Sequence, residues 1–487
     1  MTRSRVSGYA RLASLGESRI AFVLASIPLL APCFWQTRVQ AGDLSSHLYN
    51  AWLVELIQAG RAPGLALAGQ STNVLFDWLL GALFGALGPG PAERIAAALA
   101  VLVFAWGAFA FVSAVAGRRA WDVLPCIAML AYGWVFHIGF FNFHLGLGLC
   151  LWALALTWNR PLARVLAVAP LLALAWLAHA LPVAWAIGLI AYAWLWRRLA
   201  PRLRPALLLG ALALLATSSA GVARSFPTRW SSAQWLLSSG ADQLRVYDGK
   251  YDATAVALLA VWLFLLGRRI ASDGALRVAS RLELALFVLC AAAVVIVPGS
   301  ILLPGYGHAL VYVAERMSLA AAVLACALTA PARPGVSSAA FAGIALVFFS
   351  FLYRDERLLN QFEDRLDAVV AQLPEQQRVI LGVRDPGLRV NALAHMIDRA
   401  CIGRCYSYAN YEASTRQFRV RVESPNAIVA SSYAESSALQ NGGYPVRSFD
   451  LPLHQVVLAP SGELVLESLS AGERTGMTPI ESLPGLF

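Results

Sequence analysis

The stretch Gly42-Asp43-Leu44-Ser45-Ser46-His47 follows the first apolar run of the chain and opens a segment with helical spacing. It sets a carboxylate at a membrane surface. Asp43 and His47 stand four residues apart, which on a helix puts them one turn apart on one face, and Asn50, Gln58 and Arg61 continue that polar stripe. Leu44, Leu48, Trp52 and Leu56 form the apolar side, so this helix is expected to lie in the interface plane rather than cross it. Two readings of Asp43 stay open at this point. It caps the helix by accepting from the first free amides, or it does chemistry.

Working outward, the chain has 487 residues, 59% hydrophobic and 14% charged, which is too apolar for a soluble protein of this size. A multi-pass membrane protein is expected. The net charge of +10 does not point to nucleic acid, because almost every cation is an arginine flanking an apolar run. Of the seven cysteines, Cys33, Cys126, Cys150, Cys290 and Cys326 fall within apolar runs and read as small core residues. Cys401 and Cys405 lie in the polar C-terminal part; a bridge between them requires the helix to end in the interval, where Gly403 is placed to end it.

Apolar runs at Ile20–Trp35, Ile95–Gly117, Trp121–Phe136, Phe140–Trp158, Val165–Leu181, Val183–Trp196, Ala206–Val222, Tyr251–Leu266, Leu282–Leu303, Tyr312–Ala330 and Val336–Tyr353 predict about eleven spans. Residues 37–94 read as one external loop carrying the interfacial helix and a second short one near Phe76–Leu87. Val39-Gln40-Ala41 has the look of a leader cleavage site, but the many later spans favour an uncleaved anchor. With a cytoplasmic N-terminus, Arg118-Arg119, Arg160, Arg164, Arg197, Arg198, Arg202, Arg204, Arg268, Arg269, Arg277, Arg281 and Arg333 all fall inside, in keeping with the positive-inside rule. This predicts an inner-membrane protein with a periplasmic C-terminus. The fold expected is an all-α polytopic membrane domain over residues 1–353, followed by a small periplasmic α/β domain over 354–487. That domain opens with an amphipathic helix, Arg354 to about Leu373, and continues with strand-like runs at Val379–Leu381, Phe418–Val422, Ile428-Val429, Gln455–Leu458 and Glu463–Leu466.

A long external first loop with an acid just after span one, two loop helices, many spans and a soluble domain outside resembles the type C glycosyltransferase fold, whose members take sugars from polyprenyl-phosphate carriers. Protein O-mannosyltransferases, aminoarabinose transferases and oligosaccharyltransferases belong to it. The resemblance implies that Asp43 serves as the base or as a ligand of a divalent metal ion, with His47 the second group if a metal is held. Many members carry a paired acid such as Asp-Glu or Asp-x-Asp, where this chain has Asp43 with His47. The implied partners are a polyprenyl-phosphate-linked sugar, the lipid bilayer, and a glycan, lipid or protein acceptor. Sugar transfer from a lipid phosphate suits a single carboxylate, because the departing phosphate needs no general acid. It does need cations near the phosphate.

Candidates for that task are Arg224, Arg229, Arg245 and Lys250 in the external stretch Ala223–Asp252, with Lys250, the only lysine, set in Tyr247-Asp248-Gly249-Lys250-Tyr251-Asp252, and Arg316 at the outer edge of a span. The last two have plainer readings, a solvated turn for Lys250 and an ion pair with Glu315 or an interfacial anchor for Arg316. His137, Asn142 and His144 flank Phe140–Phe143 where two spans meet, either lining a sugar or acceptor cleft or satisfying helix ends. His179 precedes Pro182 at another such junction, and His308 sits in the turn Pro304-Gly305-Tyr306-Gly307-His308. The rival functions are a transporter or flippase of a lipid-linked glycan, and a non-catalytic assembly protein on the same fold. A transporter should hold ionisable groups at mid-membrane on broken helices, whereas these runs are nearly free of them.

Overall fold

The computed structural model describes residues 19–160, 166–304, 310–330, 336–385 and 387–480. Helix α1 (Arg19–Leu30) leads into the loop helices α2 (Leu44–Gln58) and α3 (Leu75–Leu87). Then come α4 (Pro89–Ala116), α5 (Leu124–Ala131), α6 (Phe141–Thr157), α7 (Ala169–Ala178), α8 (Ala180–Arg198), α9 (Arg204–Ser225), α10 (Asp252–Asp273), α11 (Leu282–Ile296), α12 (Val313–Thr329) and α13 (Val336–Val370). Five of these stretches, Pro89–Ala116, Ala180–Arg198, Pro201–Ser225, Gly249–Asp273 and Ser337–Val370, are long and apolar enough to cross a membrane. That makes a helical membrane protein, with fewer full-length spans than the eleven apolar runs predict. The run Trp121–Phe136 accounts for part of the shortfall: it breaks into a 3₁₀ turn, the eight-residue α5 and a single turn, Trp134–His137.

The helices share two polar ends. At one, Arg118 bonds Asp122 and the Ala330 carbonyl, while Arg269 bonds Glu283 and the Leu328 carbonyl. At the other lie Asp43, Asn142, His179 and Arg316. The tightest crossing between them is α4 on α6, where Gly148 lets the backbones touch; a Cβ there would sit 2.7 Å from the Phe104 Cα.

Beyond the helices, Arg378–Leu381 is central in a four-stranded sheet, parallel to Tyr406–Ser407 on one side and to Leu453–Leu458 on the other, with Leu464–Ser468 antiparallel at the edge. Of the expected strands, one forms with a partner outside this sheet and one does not form. Val420–Val422 pairs not with this sheet but with Leu65–Leu67 of the first loop, antiparallel, Leu65 opposite Val422. Ile428 and Val429 are buried but form no strand, their amides both donating to the Asn426 side chain at 2.8 and 2.9 Å. The amphipathic helix expected from Arg354 is no separate element either, since α13 runs unbroken through Tyr353.

The C-terminal part lies directly on the first loop. Arg399 bonds Ser45, Glu93 and the Val39 carbonyl and pairs with Glu363 of α13 at 3.1 Å. Asn410 donates to Asn50 at 3.0 Å, and the Tyr49 hydroxyl accepts from the Ser407 amide at 3.1 Å. The first turns of the α2 polar stripe, at His47 and Asn50, are therefore covered by protein, while Gln58 and Arg61 further along are exposed. Gln40, within the stretch that resembles a cleavage site, is buried and donates to Glu363.

Candidate functional site

Asp43 is seated by backbone. Gly42 and Asp43 donate their amides to the carbonyls of His137 and Ile138 at 2.7 and 3.0 Å, and Gly139, at φ +96°, leaves the room: a Cβ on it would lie 2.7 Å from the Asp43 Cβ. The capping reading fails. Although Asp43 occupies the N-cap of α2, its carboxylate accepts nothing from the helix amides. Among the described residues its nearest charged neighbour is His395, whose Nε2 lies 3.7 Å from Oδ1, and the Asp43 side chain keeps 22% exposure. Burial pushes its carboxyl above the ordinary value, against the pull of His395, His47 and Arg316.

Three groups of side chains surround that carboxylate. On one side His395 Nδ1 meets Asp398 at 2.9 Å, and the other oxygen of Asp398 accepts from the Ser407 hydroxyl, so Nδ1 carries the proton and Nε2 is directed at Asp43. The Tyr411 ring lies 5.4 Å from His395. On a second side His47 Nδ1 bonds Asp77 at 2.7 Å and lies 3.9 Å from Glu412. Asn142 supports this pair, donating to the other Asp77 oxygen and accepting from the Phe76 amide, both at 2.8 Å, so that it also closes the start of α3. Burial lowers the His47 value, but Asp77, Glu412 and Asp43 outweigh it and carry it up to about 10. Burial lifts Glu412 to about 7, with His47 pulling the other way. On the third side Arg316 sits over the Phe140 ring at 3.9 Å, with one nitrogen 3.3 Å from His179 Nε2. His179 Nδ1 caps α8 by accepting from the Leu181 amide.

Asp43, His47, Asn142, His179 and Arg316 thus come together, and the remaining candidates do not join them. His137 is fully buried, bonding Glu356 of α13 at 3.1 Å and the Gly133 carbonyl, which makes it a helix-junction residue. His144, two residues on from Asn142, faces away from it into the helix packing, fully buried with its ring 4.5 Å from Phe104. Lys250 is held by Asp355 at 2.6 Å and Asp248 at 3.1 Å. His308 lies outside the described residues. The sequence reading missed His395, Asp398, Tyr411, Glu412 and Asp77, the last in the first turn of a loop helix.

A metal on Asp43 and His47 does not fit these residues. His47 Nδ1 is taken by Asp77, and no group of three His, Cys, Asp or Glu arranged to hold a metal occurs among the described residues. The chain matches no protein family, no characterised protein and no solved structure.

Proposed function

We propose that the chain is a membrane glycosyltransferase of type C architecture, moving a sugar from a polyprenyl-phosphate carrier to an acceptor hydroxyl, with Asp43 as the base. The observation that carries this reading is the Asp43 carboxylate itself, free of helix amides, part-exposed, and made more basic than an ordinary carboxylate by burial. In the reaction the acceptor oxygen attacks the anomeric carbon, the bond from that carbon to the phosphate oxygen breaks with its electrons leaving on phosphate, and the acceptor proton passes to Asp43. His395, aimed by Asp398, holds the carboxylate in place. Arg316 and protonated His47 supply positive charge for the departing phosphate.

An apolar cavity of about 310 Å³ supports a lipid-borne donor. It is lined by Val313, Ala314 and Met317, from the turn that carries Arg316, and by Leu181, two residues from His179. The topology reading is in keeping with the two polar ends, since paired Arg118 and Arg269 lie at one and Asp43 at the other. Against a transporter, the ion pairs of the described helices gather at the two ends.

The test is transfer from a labelled polyprenyl-phosphate sugar by the reconstituted protein. Asp43→Asn keeps the shape and removes the base, so release of polyprenyl phosphate should fall by about two to four orders of magnitude with folding intact. Near-normal transfer by the variant would exclude Asp43 as the base.

A further inference from the structure

We propose that the arginine-bearing end of the helices holds an anionic phospholipid, in a cleft separate from the Asp43 site. A cavity of about 230 Å³ opens there between the last turns of α6 and α8 and the first turns of α11. Its mouth carries Arg160, Arg197 and Arg198, and its wall is apolar, formed by Leu154, Ile190 and Leu286. The Arg197 guanidinium sits over the Trp158 ring at 4.8 Å and that of Arg198 over Trp194 at 4.0 Å. A ring under a guanidinium fixes the group and leaves its edge N–H donors turned outward, the geometry a phosphate accepts.

The charge at this mouth is uncompensated. Three other arginines at the same end have partners, Arg118 in Asp122, Arg269 in Glu283 and Arg204 in the Trp196 carbonyl that closes α8, whereas Arg277 is exposed and does not line this cavity. Among the described residues no carboxylate pairs with Arg160, Arg197 or Arg198. A soluble phosphate would satisfy these cations and leave the apolar wall wet. A phospholipid satisfies both, its phosphate on Arg197 and Arg198 and an acyl chain along Leu154, Ile190 and Leu286. The inference requires that the chain lies in a membrane and does not depend on what Asp43 does.

Native mass spectrometry of the detergent-solubilised full chain should show phosphatidylglycerol retained in preference to phosphatidylcholine of the same acyl composition. The double substitution Arg197→Gln, Arg198→Gln should weaken that retention about tenfold, while Arg277→Gln, an exposed arginine at the same end, should leave it unchanged. Ile190→Trp fills the wall and keeps every cation, so it too should weaken phosphatidylglycerol; this variant carries the test should the double variant fail to fold. Equal retention of the two lipids, or phosphatidylglycerol binding that survives the variant tested, overturns the proposal. Displacement of the lipid by an equal concentration of inorganic phosphate would also overturn it, since the site would then be one for a free anion.

Discussion

At the scale of single residues, His47 decides the charge balance beside Asp43. Its folded-state value, about 10, lies above the ordinary 6.5, so its pairing with Asp77 stabilises the fold in full below about pH 6.5 and loses that contribution as pH climbs toward 10. The melting-temperature gap between the native chain and His47→Asn in detergent should therefore be widest near pH 6 and shrink steadily up to pH 10; a gap that does not change over this range would mean that His47 is neutral in the fold. The spacing of Asp43 and His47 was legible because four residues is one helical turn. Their partners were not. His395, Asp398 and Glu412 lie some 350 positions downstream on or beside five-residue helices, and no period in the sequence announces a contact made only when two distant parts of the chain fold together.

Among the elements, the five-residue helix Met396–Ala400 carries both Asp398 and Arg399, and it is too short to hold itself. The Cys401–Cys405 disulfide closes the turn just after it; the helix already ends at Ala400, ahead of both cysteines rather than between them, and Gly403 at φ +78° shapes the turn they bridge. In the denatured, unreduced protein both thiols should resist labelling, and replacing both by serine should cost the C-terminal part about 2 kcal/mol through the freed five-residue loop, measured by denaturant unfolding. Full labelling without reductant would show the bridge absent. Strands with clear alternation or a strong apolar run, such as Val379–Leu381 and Gln455–Leu458, were legible in the sequence. The buried pair Ile428-Val429 misled because burial alone does not distinguish a strand from a loop held by the Asn426 side chain. Composition changes at Tyr353, but Arg354, Asp355, Glu356 and Arg357 are helix-compatible residues with no glycine or proline among them, so α13 continues where hydropathy alone suggested a boundary.

For the whole molecule, the arginine distribution predicts an orientation in which a periplasm-active reporter is active after Phe487 and silent after Arg202. The reverse pattern would put Asp43 in the cytoplasm and remove the proposed donor from its reach. The apolar runs made a membrane protein plain from sequence. They said nothing of how closely the C-terminal part would sit on the first loop, since that depends on ion pairs and on a strand pairing formed across the length of the chain. The unbroken α13 carries one more consequence. Thirty-five residues of helix make a shaft about 52 Å long, rooted among the apolar helices at one end and joined to the sheet at the other. Each residue added to or taken from such a shaft turns its far end by about 100°, so the spacing between the membrane part and the C-terminal part is indexed like teeth on a gear: whole turns keep the faces in register, and any other length would swing His395 away from Asp43.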